Sequence, residues 1–224
     1  MNYFMLKPLI QKDWYLQRFV ILGYSLAGLV ALFVANLPDQ TWMNIGNIGL
    51  ITVLLAFGFH LAVGNIITER SQHNLAFIMS LPVSVREYTL GKILANSLIY
   101  LVPWTILGIA GFVIILTRDT LPDGLIPFFS LILVQILVNY CFALAMALIT
   151  ESLYWIIGAV LIGNVSLQSL MGFMTSSPSI KINMTGSSIV WDSTTLLILV
   201  AQFSVIALLF GITFLVQSKK TDFI

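Results

Sequence analysis

Long apolar blocks separated by short polar turns constrain the fold of this chain more than any other feature. A helix needs roughly 20 apolar residues to cross a bilayer, and blocks of about that length begin near residues 19, 45, 93, 125, 153 and 196. Only 8% of the residues are charged, whereas ordinary globular chains carry about a quarter. The pattern predicts an all-α, polytopic integral membrane protein, in which residues 1–224 form a single domain with six transmembrane helices.

The polar segments complete the predicted layout. Residues 1–18 mix aromatic and basic side chains, which favour the headgroup level, and predict an N-terminal interfacial helix that leads into the first span. That charged region is too long for a cleavable signal peptide. Residues 176–195 form a polar outer loop, either folded as a cap or loose. The predicted spans are residues 19–36, 45–68, 93–117, 125–150, 153–175 and 196–216.

The basic residues predict the orientation of the chain in the membrane. Most of them fall on one side of this layout, and only Arg118 and Lys181 fall on the other. Cytosolic loops carry the excess of lysine and arginine, so both termini are predicted to lie in the cytosol. The basic residues on that side are Lys7, Lys12, Arg18, Arg70, Arg86, Lys92, Lys219 and Lys220.

The longest polar interruption on the predicted cytosolic side runs from Ile67 to Leu94. Its pattern predicts a short amphipathic helix, a sharp turn at a proline, and a second helix that re-enters the membrane. From the residues alone, this stretch either docks on a partner in the water or is an ordinary capped loop. Its features are the pair Glu69 and Arg70, apolar Leu75, Ile78 and Met79 at helical spacing, Leu81 before Pro82, and a capping box of Ser84 and Glu87.

The succession E-R, Leu75, S-L-P-V-S and G-K resembles the first cytosolic loop of the type-two ABC exporter permeases. In that family the loop is a coupling helix that docks on a separate ATPase subunit. The family often has Gly-Thr before the leucine, where this chain has His73 and Asn74. The resemblance implies a cytosolic coupling helix between spans two and three, within residues 69–92. The implied contacts with the ATPase are Glu69, Arg70, Leu75, Ile78, Met79 and Leu81.

The resemblance also implies the assembly around this chain. It predicts a dimer with a second permease subunit, the same or a related chain, above two copies of a cytosolic ABC ATPase subunit. The setting is the plasma (inner) membrane of a bacterium. Glu151, in the tight turn between spans four and five, lies where relatives make a second, smaller ATPase contact. From the residues alone, Glu151 is equally well a solvated cap for the fifth helix.

Motifs for chemistry on this chain are missing from the sequence. The only G-K pair, Gly91 and Lys92, has no glycine five residues before Gly91, so it is not a phosphate-binding P-loop. His60 and His73 are too separated to suggest a metal pair. We therefore expect no enzyme activity and no cofactor on this chain, with ATP and Mg on the partner subunit. The formal net charge of +1 gives no indication of nucleic acid binding.

Uncharged polar side chains inside the predicted spans have two interpretations. Gln135 and Asn139 are four residues apart and share one helix face, as do Asn164 and Gln168. They either hydrogen-bond between helices or, together with His60 in the second span, line a substrate path. No charged residue falls in the predicted spans, which argues against an ion or proton pathway.

The function predicted from the sequence is export of a peptide, drug or lipid-like substrate by alternating access, driven by ATP on the partner. The alternatives are a stand-alone channel or secondary carrier, a membrane-embedded enzyme, or a scaffold subunit that transports nothing. A channel or carrier needs charged pathway residues, and an enzyme needs a catalytic set within the membrane.

Overall fold

The structure, a computed structural model, describes residues 3–67 and 85–219, with side chains from Ile10 to Ile67 and from Thr89 onward. All regular elements in those ranges are helical. They are α1 (Tyr3–Ala35), α2 (Gln40–Ala62), a π-helical turn (Val63–Ile67), α3 (Val85–Thr117), α4 (Leu125–Thr150), α5 (Leu153–Ser176), α6 (Pro178–Met184) and α7 (Ser193–Ser218).

Six helices are long and apolar enough to cross a membrane, which confirms the predicted all-α fold with six candidate spans. They are α1, α2 with the π-helical turn, α3, α4, α5 and α7. The bounds of α4 match the prediction at both ends. The chain is therefore built as a multi-pass membrane protein.

The N-terminal region differs from the predicted layout in one respect. Residues 3–35 form one unbroken helix, so the boundary predicted at residue 18 has no counterpart in the backbone. Pro8 lies near the start of α1, and the span itself begins at Ile10. The reason is local: no proline or glycine interrupts the chain between Pro8 and Gly23, so nothing ends the helix.

The central helix of the bundle is α4, which packs against α2, α3, α5 and α7. In its spanning segment 72% of the residues are buried, compared with 11% in α7. A helix that is hydrophobic on every side is typical of such a buried position. Helix α1 packs mainly on α2 and α3. The apolar outer faces of α1, α5 and α7 are the ones that lipid would cover.

An aromatic stack joins four helices at the core. The rings of Tyr100 and Tyr140 lie nearly parallel with their centroids 3.8 Å apart. Phe57 stacks on Tyr100 at 5.6 Å, and Tyr24 lies 4.9 Å from Phe57. The stack thus fixes α1, α2, α3 and α4 to one another at about the same level.

The turn between α4 and α5 is short. Glu151 ends α4 in a left-handed conformation with φ of 55°, and its N–H donates to the Ala147 carbonyl at 3.1 Å. Ser152, not Glu151, occupies the N-cap position of α5. The predicted outer loop 176–195 is folded in part, since it contains α6 with Ile180 buried.

Candidate functional site: two buried polar clusters

The residues predicted to dock on an ATPase lie outside the described part of the chain. These are Glu69, Arg70, Leu75, Ile78, Met79 and Leu81. Ser84 of the predicted capping box also lies outside it, as does the side chain of Glu87. The structure does describe the two attachment points of this segment, the π-helical turn that ends at Ile67 and the start of α3 at Val85.

A buried ion pair lies near these attachment points. Lys92 Nζ of α3 is 2.9 Å from Asp13 Oδ2 of α1, and the two side chains are 4% and 6% exposed. Lys92 Nζ also donates to the backbone carbonyl of Asn65, in the π-helical turn, at 3.4 Å. One ammonium group therefore connects three separate segments of the chain.

Side-chain amides extend this contact. Asn65 Nδ2 donates to Asn96 Oδ1 at 2.7 Å, and Asn96 Nδ2 donates to the Lys92 carbonyl at 2.9 Å. Gln17 Nε2 of α1 donates to Asn65 Oδ1. We call Asp13, Gln17, Asn65, Lys92 and Asn96 the inner polar cluster. Asp13, Asn65, Lys92 and Asn96 are all buried.

The π-helical turn contributes to the position of Asn65. A π-turn holds one residue more than an α-turn, and each added residue rotates the following side chains by about 100°. Asn65 and Ile66 are the buried residues of this turn.

The inner polar cluster corrects one prediction. The predicted spans contain no charged residue, but the candidate spanning segments Ile10–Ala35 and Thr89–Thr117 begin earlier than predicted, and their first residues include Lys12, Asp13 and Arg18 in one and Lys92 in the other. The sequence placed Asp13 in an interfacial helix and Lys92 in a loop, and so gave no indication that the two residues meet. Asp13 and Lys92 are 79 positions apart, so no local sequence pattern indicates that they are in contact. The argument against a carrier from the absence of charged residues therefore no longer holds. The Asp13 and Lys92 side chains are, however, in contact with each other and almost inaccessible to solvent.

A second polar cluster lies in the middle of the spans. Gln135 Nε2 of α4 donates to Ser166 Oγ of α5 at 3.0 Å, and Asn139 Nδ2 donates to the Gly163 carbonyl at 2.9 Å. Gln202 Nε2 of α7 donates to Gln135 Oε1 at 3.0 Å. We call Gln135, Asn139, Ser166 and Gln202 the midspan amide cluster. These contacts favour the interhelical interpretation for Gln135 and Asn139.

The remaining residues of the predicted path lie elsewhere. Asn164 is half-buried, while Gln168 and His60 are exposed on the outer surfaces of α5 and α2. Within the described part of the chain, the side chains of Asn164 and Gln168 have no hydrogen-bond partner. The structure therefore does not bring the five predicted path residues together.

Two cavities border these helices. A cleft of about 500 Å³ lies between α5 and α7, and the midspan amide cluster is part of its lining. An apolar cavity of about 260 Å³ lies between α1, α2, α3 and α4, with Asn47 as its polar side chain. Both cavities are lined mainly by apolar side chains, so they suit apolar rather than strongly polar molecules.

No group of three or more histidine, cysteine, aspartate or glutamate side chains in residues 3–67 and 85–219 is arranged to hold a metal ion. A comparison with protein-family models and with curated proteins found no match to this chain.

Proposed function

We propose that this chain is the transmembrane permease subunit of an ATP-driven ABC exporter. The observation that carries the proposal is the sequence of the segment between α2 and α3, with its E-R pair, Leu75, S-L-P-V-S run and G-K pair. Six apolar helices supply a membrane domain of suitable size. The exporter moves a peptide, drug or lipid-like substrate out of the cytosol by alternating access.

The proposed assembly places the segment 68–84 against a cytosolic ABC ATPase, with two ATPase copies per complex. ATP and Mg bind to the ATPase and not to this chain. Glu69 and Arg70 make charge-assisted hydrogen bonds to it, and Ile78 fills an apolar groove. Both termini lie in the cytosol of a bacterium, beneath its plasma (inner) membrane. Glu151, at the turn between α4 and α5, makes a smaller second contact.

A second permease subunit is supported by the surface of α5. The amides of Asn164 and Gln168 have no partner in the described part of the chain. An unpaired amide in an apolar medium costs roughly 4–8 kcal/mol relative to water. An amide both donates and accepts, so the same surface on a second copy can satisfy it. We place the contact between the two permeases, and the substrate path beside it, on this side of α5.

One observation favours a second candidate function, a proton- or ion-coupled carrier. Ionisable residues inside spans often mark ion pathways, and Asp13 and Lys92 lie in the first turns of two candidate spanning segments. A carrier works without an ATPase, so ATP-independent transport by the purified chain would favour it.

Replacing Ile78 by aspartate is expected to abolish coupling to the ATPase. A carboxylate in an apolar groove removes a contact of the kind worth at least about 2 kcal/mol, which weakens the complex roughly 30-fold. Binding of the ATPase and stimulation of its hydrolysis are the measurements. His73→Asp, on the opposite side of the same predicted helix from Leu75, Ile78 and Met79, is the matched control and should bind normally. Full coupling by the Ile78 variant, with unchanged thermal stability, contradicts the docking assignment.

Replacing Asn164 and Gln168 together by leucine is expected to weaken self-association. Interhelical hydrogen bonds in membranes are worth roughly 0.6–2 kcal/mol each, so losing two should raise the dimer dissociation constant by at least about tenfold. Photobleaching of labelled protein in vesicles measures the dimer fraction. Ser169→Leu is the control, because that exposed hydroxyl already donates to the Val165 carbonyl at 2.8 Å. An unchanged dimer fraction in the double variant excludes this surface as the contact.

A further inference from the structure

The inner polar cluster has a particular position along the chain. It contains Asn65, two residues before the end of the π-helical turn, and Lys92, seven residues into α3. Residues 68–84 connect these two elements. The third component, Asp13, belongs to α1, which is otherwise distant in sequence. The cluster thus joins both attachment points of the segment 68–84 to the first helix of the bundle.

Burial energy alone does not account for a charged pair at this place. A buried ion pair is often no more stabilising than apolar side chains of the same size, because both charges must be desolvated. Its distinctive property here is enclosure, since a buried ammonium must keep its acceptors, and two of those that Lys92 has belong to α1 and to the π-helical turn. Lys92 Nζ contacts Asp13 at 2.9 Å and the Asn65 carbonyl at 3.4 Å, so it fixes α3, α1 and the π-helical turn together.

The neighbouring groups reinforce this single arrangement. Asn96 accepts from Asn65 and donates to the Lys92 carbonyl, at 2.7 Å and 2.9 Å. Lys12 approaches the other oxygen of Asp13 at 3.6 Å, but its side chain is 43% exposed. Lys12 therefore cannot replace the enclosed contact that Lys92 makes.

We propose that Asp13 and Lys92 are positioning residues that fix both attachment points of the segment 68–84 to α1. A displacement of that segment then moves α1 with α3, rather than bending the segment alone. The role of this movement in transport rests on the proposed exporter function. The rigid connection itself does not depend on that function.

The test compares variants that separate stability from positioning. Lys92→Met leaves the Asp13 carboxylate buried without its partner and should lower the melting temperature strongly. Asp13→Leu combined with Lys92→Met removes both charges and should melt close to the wild-type temperature. Lys12→Met is the control for loss of a lysine next to Asp13, and should also melt as the wild type does.

Hydrogen exchange of the purified protein in lipid nanodiscs provides the deciding measurement. In the charge-free double variant, we expect amide exchange in residues 63–67 and 85–92 to rise at least tenfold. Exchange in residues 125–150 should remain at the wild-type rate. A purely structural pair predicts wild-type exchange once the melting temperature is restored, and that result overturns the proposal. If the double variant does not fold, Asp13→Asn with Lys92→Gln is measured by the same criterion.

The result is independent of the exporter assignment. Raised exchange together with the absence of any ATPase partner leaves the positioning role standing and contradicts the exporter function. Wild-type exchange in a chain that does bind an ATPase contradicts only the positioning role.

Discussion

Replacing Gly46 by leucine is expected to separate α1 from α2 and to lower the free energy of unfolding by about 3 kcal/mol or more. A Cβ atom at Gly46 would lie 2.2 Å from the Ala35 backbone nitrogen and 2.5 Å from the Ala31 carbonyl oxygen. Backbone atoms cannot turn aside as a flexible side chain can, so the helices must move apart. Denaturant unfolding of the protein in detergent micelles measures the loss.

Gly23→Leu is the matched control for this prediction. Gly23 also lies in a spanning helix, but a Cβ at Gly23 would have no atom of another described element within 4 Å. The leucine gains helix propensity of roughly 1 kcal/mol relative to glycine at either position. Equal stabilities of the two variants would contradict the close contact between α1 and α2.

Replacing Tyr140 by alanine is expected to cost about 3–5 kcal/mol of stability, as other truncations of large buried aromatic residues do. The ring is buried and stacks on Tyr100 with a centroid distance of 3.8 Å. In a bilayer the loss comes chiefly from van der Waals contacts, because lipid is as apolar as the core. Thermal unfolding with an intrinsic fluorescence readout measures the effect.

Two controls make this prediction specific to the stack. Tyr154→Ala removes a ring of α5 that is 85% exposed, and should change stability by less than about 1 kcal/mol. Tyr140→Phe keeps the ring and removes a buried hydroxyl that has no partner in the described part of the chain. Losing an unpaired buried hydroxyl should be neutral or slightly stabilising. A mild effect of Tyr140→Ala would show that the stack does not hold the four helices together.

The number and approximate bounds of the helices were predictable because each long apolar block corresponds to one span. Helix α4 runs from Leu125 to Thr150, as its flanking polar residues indicated. The continuity of α1 was less predictable, since aromatic and basic residues suggested a surface position for residues 1–18. Those side chains mark a membrane boundary, but they do not end a helix.

The polar contacts were only partly predictable. Spacing alone correctly placed Gln135 and Asn139 on one face of α4. It could not show that Ser166 and Gln202 would join them, because those residues lie on other helices. Spacing also paired Asn164 with Gln168, on a side of α5 that faces outward. In a helix that is apolar all round, the sequence does not distinguish the side that packs from the side that meets lipid.

The contact between Asp13 and Lys92 could not be predicted from the sequence. Each residue had an ordinary interpretation in its own neighbourhood, one at a surface helix and the other in a loop. Only the packing of α1 against α3 shows that the two charges meet, so that each offsets part of the cost of burying the other. The residues predicted to contact an ATPase, from Glu69 to Leu81, lie outside the described residues, and their role remains a proposal.

Site-directed photo-crosslinking in native membranes tests the central proposal most directly. A photoreactive phenylalanine at position 78 should crosslink to a soluble, ATP-hydrolysing subunit, and the same probe at position 121 in the predicted outer turn should not. The crosslink should disappear when Glu69 and Arg70 are both replaced by alanine. Labelling of residue 78 from the outside of intact cells, or crosslinks at position 78 to lipid alone, would contradict the account.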